Sequence, residues 1–128
     1  MINKKMYDAI NDQIKNELES AYIYLSMAAY FHQQNLDGMA HWMRCQIHEE
    51  TIHAMKFFDK ENDYTAEPLL AWFANEQMEE ESNTDKICRQ LEMVGENKQG
   101  LFMLDRELGA RVFVAGSPFD PVAYNLVQ

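Results

Sequence analysis

Three segments of this chain carry apolar residues at alternating steps of three and four, and each pattern breaks on a charged or amide side chain near its middle. The first runs through Ile10, Ile14, Glu17, Ala21, Tyr24, Ala28 and Phe31, and the second through Met39, Met43, Gln46, Glu50, His53 and Phe57. The third runs through Ala66, Leu70, Phe73, Gln77, Glu80, Thr84, Ile87 and Leu91. Steps of three and four keep a residue set on one stripe of an α-helix, and such stripes meet when helices pack nearly parallel. With 5 glycines and 3 prolines in 128 residues, little interrupts these stretches. The spacing predicts helices over about 4–34, 37–60 and 98–108, and a third long one between the last two that ends at about 94. Asn35, Asp37 and Gly38 form the first turn, with Asp37 as N-cap of the second helix. Asp63 or Thr65 caps the third helix, Pro68 sits in its first turn, and Gly95 stops it. Strand signals are weak before the last stretch, VFVAGSPFDPVAYNLVQ, which reads as irregular or extended. The expectation is an all-α antiparallel bundle over residues 1–111, three long helices plus a short C-terminal one, followed by a tail over 112–128.

Charge narrows the partners. Twenty-one Asp and Glu against 11 Lys and Arg leave a net charge of −10. That field repels phosphate and anionic lipid and attracts cations, which argues against nucleic acid or membrane as partner. No stretch approaches the ~18 apolar residues of a spanning helix. The 2 cysteines are too few for a disulfide framework, and free thiols in an acidic chain point to the cytoplasm.

The interruptions carry the chemistry. A lone buried carboxylate costs several kcal/mol unless paired or metal-bound, yet three helices each place one at mid-height: Glu17, Glu50 and Glu80. Glu50 and His53 stand three residues apart, so both project from one helix face toward one point. A bridging carboxylate beside a terminal imidazole is the arrangement of bundle-core di-iron sites. Oxygen-rich ligands with one imidazole suit Fe(II) or Mn(II), with Zn(II) as a competitor. The alternative is a metal-free polar network that fixes helix register, in which case the carboxylates should find Lys15, Arg44 or Lys56. Tyr24 is either a core tyrosine or a hydrogen-bonding or redox-active neighbour of the centre. Glu49, Glu76 and Glu79 flank the ligand positions and read as a solvated acidic face or a cation path. His32, His41 and His48 read as surface or satisfied histidines, Cys45 and Cys88 as inert core thiols, and the methionines as bundle filler.

The stretches NDQIKNELESAYIYLSMAAYF, LDGMAHWMRCQIHEETIHAMKFFD and LLAWFANEQMEEES resemble the first, second and fourth helices of prokaryotic non-haem ferritins, and GLFMLDREL resembles their short fifth helix. The resemblance combines Glu17, Tyr24, the EExxH of Glu49 to His53 and the EQxEE of Glu76 to Glu80. It implies that Glu17, Glu50 and His53 hold a first ferroxidase iron. It further implies that Glu50 bridges to a second iron ligated by Glu80 with Gln77 beside it, and that Glu49, Glu76 and Glu79 lie near an accessory third position. Proteins of this kind form cages of 24 chains, oxidise Fe(II) with O2 or peroxide, and store the ferric product.

One departure is large. The family's long crossover and third bundle helix, which supplies a carboxylate to the second iron, have no counterpart between the second helix and EQxEE. Either that segment has been lost from this sequence, which the surviving four-helix core pattern favours, or the chain is a true three-helix version. A three-helix version is expected to expose an apolar groove and so to associate or be poorly soluble. The functional expectation is iron storage with a bundle-centre ferroxidase. The alternatives are a truncated ferritin with a mononuclear or inactive site, and a helical assembly module without metal. A rubrerythrin-type oxidase is disfavoured by the lack of a CxxC pair.

Overall fold

The chain rises from an Asn3 cap, whose side chain accepts the Met6 N–H, into a first helix α1, Lys4–Gln33. Three more follow: α2, Asp37–Lys60; α3, Glu67–Val94; and α4, Lys98–Gly109. The computed structural model describes residues 3–60 and 67–113, and among these there is no strand. The expected bounds of the first, second and fourth helices and the end of the third hold to within one residue, while the expected start of the third with its caps Asp63 and Thr65 and seam position Ala66, and the tail beyond Phe113, lie outside the described residues. Among the described residues no helix is long and apolar enough to cross a membrane.

The turn between α1 and α2 closes on Asn35 in the left-handed region, φ 60°, while the Leu36 N–H reaches back to the Phe31 carbonyl at 2.9 Å. Asp37 is the first residue of α2 rather than a cap outside it, and its carboxylate meets His32 Nδ1 at 3.1 Å. Gly38 also belongs to α2, and what requires a glycine there is not the turn. A Cβ on Gly38 would collide with the Asp105 carbonyl of α4, and one on Gly109 would meet the Gly38 Cα at 2.9 Å. The Asp105 side chain accepts the Met39 N–H at 2.8 Å, so α4 caps the start of α2 as it lies against it. At the far end of α3, Gly95 takes φ 54° as expected of a helix stop.

Two apolar clusters flank the bundle's mid-height. Ile10, Phe57 and Leu69 pack at one end with Met6, Ile14, Trp72 and Phe73 around them. Ala28, Trp42 and Met43 pack at the other with Tyr24, Phe31, Ile87 and Leu108. All six stripe residues of α2 are buried. The α3 stripe differs from expectation: Leu70 is 42% exposed and Thr84 is exposed, while the neighbouring Leu69 enters the core. Leu69 meets Ile10 and Phe57, while Thr84 lines an open cleft between α3 and α1.

That cleft corrects a second expectation. It was to be apolar, but Asn16, Glu17, Gln77, Glu81, Thr84 and Asp85 are among the residues that line it. The exposed apolar surface of α1 lies elsewhere, around Leu18, Tyr22 and Ile23. Cys45 is buried as expected, and burial first of all pushes its thiol up. Cys88 is exposed and lines the cleft, so it is no core thiol.

Candidate metal centre

Between the two apolar clusters, α1 contributes Glu17 and α2 contributes Glu50 and His53, all three buried. One ligand atom from each lies within 4.8 Å of the others. His53 Nδ1 faces Glu17 Oε2 at 3.4 Å, Glu50 Oε2 at 3.7 Å and, from α3, Glu80 Oε1 at 3.8 Å. None of these approaches has hydrogen-bond geometry, and both His53 Nδ1 and Glu80 Oε1 are buried without a hydrogen-bond partner. The other ring nitrogen, Nε2, looks toward Glu76 Oε2 at 3.8 Å. Trp72 and Phe73 stand edge-on to the imidazole, with centroids at 5.3 and 6.2 Å, and wall it on the α3 side.

The electrostatics follow from crowding acids around one imidazole in a place poor in water. Burial pushes the Glu50 carboxyl up to about 8, with the Glu17 and Glu80 charges adding to it and His53 opposing. Burial works against the His53 cation too, but Glu17 and Glu50 outweigh it and lift the ring to about 10. Glu17 goes the other way: burial disfavours its charge, yet His53, Glu50 and the 2.8 Å bond from Gln13 Nε2 hold it below the usual carboxylate range. Glu80 is raised by burial, with His53 opposing. At neutral pH the cluster therefore holds protons on His53 and Glu50. A divalent cation would replace them, since metal ligands bind deprotonated.

The residues present fit such a cation. A buried ring nitrogen surrounded by carboxylate oxygens without a hydrogen bond is costly as a resting arrangement, and an ion in that space satisfies it. Three carboxylates with one imidazole form the hard donor set of Fe(II) or Mn(II). The metal-free alternative finds less support. Among the described residues, the ion pairs of Glu17, Glu50 and Glu80 all go to His53, while Lys15 pairs with Glu19 and Lys56 lies 3.8 Å over the Trp72 ring.

Glu80 faces two cavities. On the α1 side it lines the cleft of about 380 Å³ together with Glu17, Tyr24, Glu50 and Gln77. Burial raises the Tyr24 phenol, aided by the Glu50 and Glu80 charges and opposed by the polar side chains of Gln46 and Thr84, so Tyr24 stays a neutral hydrogen-bonding group. On the other side Glu80 joins Glu49, Glu76 and Glu79 around a chamber of about 360 Å³ between α2, α3 and α4. The three acidic residues read from sequence as flanking the ligands thus share one chamber. His32, His41 and His48 stay outside the centre: His41 Nε2 bonds the Arg111 carbonyl at 2.6 Å and His48 packs on Phe113.

Two residues escape the sequence reading. Gln13 orients Glu17, and its signal is present in hindsight, since it stands one helical turn before that carboxylate. Arg111 pairs with Glu49 at 2.9 Å, and no local spacing announces it.

The Ferritin-like domain family matches residues 7–60 of the chain. The chain is 24% identical to the bacterial non-heme ferritin of Staphylococcus aureus, an alignment taking in 88% of this chain and 98% of that protein, and equally similar to the one of Staphylococcus saprophyticus. These alignments run over 163 positions. Only 88% of the 128 residues fill them, so roughly fifty positions of each relative have no counterpart here. Among solved structures, a closed form engineered from the Archaeoglobus fulgidus ferritin superposes with a TM-score of 0.83 at 32% identity, covering 89% of this chain and all of that one. The open-pore ferritin of the same archaeon superposes with a TM-score of 0.81 at 32% identity, over 87% of this chain and 98% of its own.

Proposed function

This chain belongs to the ferritin-like family, among the prokaryotic non-haem ferritin-like proteins, and we propose that it takes up Fe(II) as substrate at the bundle centre, oxidises it, and stores the Fe(III). Glu17, Glu50 and His53 hold the first Fe(II). Glu50 bridges to a second held by Glu80, with Gln77 beside it and Tyr24 as a neutral hydrogen-bonding neighbour. Glu49, Glu76 and Glu79 lie near an accessory third position. O2 or peroxide takes the electrons, and a homo-oligomeric cage of 24 chains encloses the product. Mn(II) and Zn(II) compete for the same donors.

The observation that carries this reading is the orphaned His53 Nδ1 facing Glu17, Glu50 and Glu80. The chain's own work is to give up the protons on His53 and Glu50 as Fe(II) arrives, to hold the ions in a fixed, walled position, and to leave the α1 side open to the oxidant. A second reading is favoured by the cleft between α1 and α3, where a further ligand-bearing helix would lie. In that reading the second site is incomplete and the centre is mononuclear and slow.

Anaerobic Fe(II) titration of the full chain separates the two. Two tight sites per chain support the coupled centre, one supports the mononuclear reading, and none removes both. Glu50→Ala should slow the oxidation of added Fe(II) by about a hundredfold or more, because a direct ligand matters more than the outer neighbours whose loss costs 10–100-fold. Its far-ultraviolet circular dichroism should stay helical. An unchanged oxidation rate would sink the site assignment.

A further inference from the structure

Arg111 follows directly on α4 and is anchored on all sides. Its guanidinium donates to Glu49 Oε1 at 2.9 Å and to the Trp42 carbonyl at 3.3 Å, and lies 4.5 Å from the centre of the Trp42 ring. Its own carbonyl accepts from His41 Nε2 at 2.6 Å. The helix before it is seated by the Gly38–Gly109 approach and by the Asp105 bond to Met39, so the guanidinium has a defined position. Only 20% of the Arg111 side chain and 24% of the Glu49 side chain are exposed, so their attraction is less screened than that of a surface pair.

This pair stands at the wall of the chamber that also holds Glu76, Glu79 and Glu80. A cluster of acids alone says little. The same chamber is also lined by Gln46, which is 3% exposed and whose amide nitrogen has no hydrogen-bond partner. A buried amide nitrogen without a partner leaves an open donor in that wall, which a water bridging to the chamber's carboxylates would meet. Arg111 already neutralises one of the carboxylates that a visiting cation would use. Its guanidinium stays charged throughout the working pH range, so the competition is one of charge.

We propose that Arg111 is a resident counter-cation that competes with metal ions for Glu49 and thereby sets how many cations the acidic chamber holds beyond those at the Glu17–Glu50–His53 cluster. The inference rests on the reading of that cluster as a cation site. When Glu49 turns to a divalent ion, the guanidinium keeps its stacking on Trp42 and its bond to the Trp42 carbonyl, so the exchange does not require α4 to undock. With Arg111 in place the chamber fills last and weakly. Without it, the chamber fills alongside the centre.

Calorimetric titration of the metal-free full chain with Zn(II) alone tests this, because Zn(II) suits the same donors and is not oxidised. Arg111→Gln is expected to add one Zn(II) per chain or to tighten the weakest site about tenfold or more. Arg111→Lys, which keeps the charge, should titrate like the parent, and Glu49→Gln combined with Arg111→Gln should lose the gain. Near-ultraviolet circular dichroism of Trp42 checks that α4 remains docked in each variant. An Arg111→Gln titration that superimposes on the parent overturns the proposal. So does a gain shared by Arg111→Lys, which would mean that packing rather than charge closes the chamber, or a gain that survives Glu49→Gln. Failure of the parent to bind any Zn(II) would count against the metal centre itself, whereas an unchanged Arg111→Gln beside a parent that binds normally counts only against the role of Arg111.

Discussion

Helices α2 and α3 carry the same three-four stripe, yet they end up in different surroundings. Every stripe residue of α2 is buried, while Leu70, Phe73, Gln77, Thr84 and Leu91 of α3 are only partly covered or open. α2 has α1 beside it, α4 across its first turns and the Trp72 and Phe73 rings against its lower half. Among the described residues no helix fills the α1 side of α3, where a polar cleft lies instead. A hydrophobic stripe thus states which face a helix can bury, and the neighbours present in the chain decide how much of it is buried. The staphylococcal relatives possess roughly fifty positions that this chain lacks.

That contrast can be broken most sharply at Phe57 of α2, which is 1% exposed and meets Phe73 edge-on at 5.0 Å. Phe57→Ala should cost about 3–5 kcal/mol of unfolding free energy in urea, as for other buried phenylalanines. A cost below about 1 kcal/mol would show that the α2 seam is no tighter than that of α3. The next test is pH, which acts on the two titrating residues of α2. In the fold His53 is raised from 6.5 to about 10 and Glu50 from 4.5 to about 8. The stability that His53 contributes is whole below its unfolded value and is lost as pH rises through about 10. That of Glu50 is whole below 4.5 and is lost through about 8. Glu17, lowered in the fold, contributes above its ordinary value and changes little in this window. The metal-free protein should therefore melt at progressively lower temperature between about pH 6 and about pH 9, and saturating Zn(II) should flatten the fall. A melting temperature that rises over that range without metal contradicts the proton placement.

Smaller effects probe the other helices. Gln13→Ala on α1 removes the amide that bonds Glu17 and should weaken Zn(II) binding about tenfold. No change there would mean that α2 alone orients the centre. Leu70→Ala on α3 should cost less than about 1 kcal/mol, because the side chain is already 42% exposed. A cost like that of Phe57→Ala would reveal that something covers the α3 face in solution.

Much of this was legible because helix geometry is local. The three-four spacing placed Glu17, Glu50, His53 and Glu80 at one height on one side of their helices, and the structure brings those side chains together. The polar signature of Glu49, Glu76 and Glu79 was also visible, though not that the three share a chamber. What stayed hidden depends on distant neighbours. The choice of Leu69 over Leu70 for the core is settled by where Ile10 of α1 and Phe57 of α2 lie, not by spacing within α3. The cleft was expected to be apolar because it was inferred from a missing partner, whereas its walls are the hydrophilic flanks of α1 and α3. Gly38 looked like a turn glycine because it follows Asn35 and Asp37. Its real constraint, the carbonyl of Asp105, lies far along the chain.

The joint between Gly38 and Gly109 works by subtraction. Where a knob would fill a hole, here two backbones touch because neither position carries a side chain. Such a joint has one seat. Sliding α4 by a single residue would bring Leu108 or Ala110 to the notch, and either carries the carbon that the notch refuses. The docking register of the last helix is thus indexed by two hydrogen atoms, and the positive charge that follows it arrives at Glu49 as the tooth of a gear arrives at its gap.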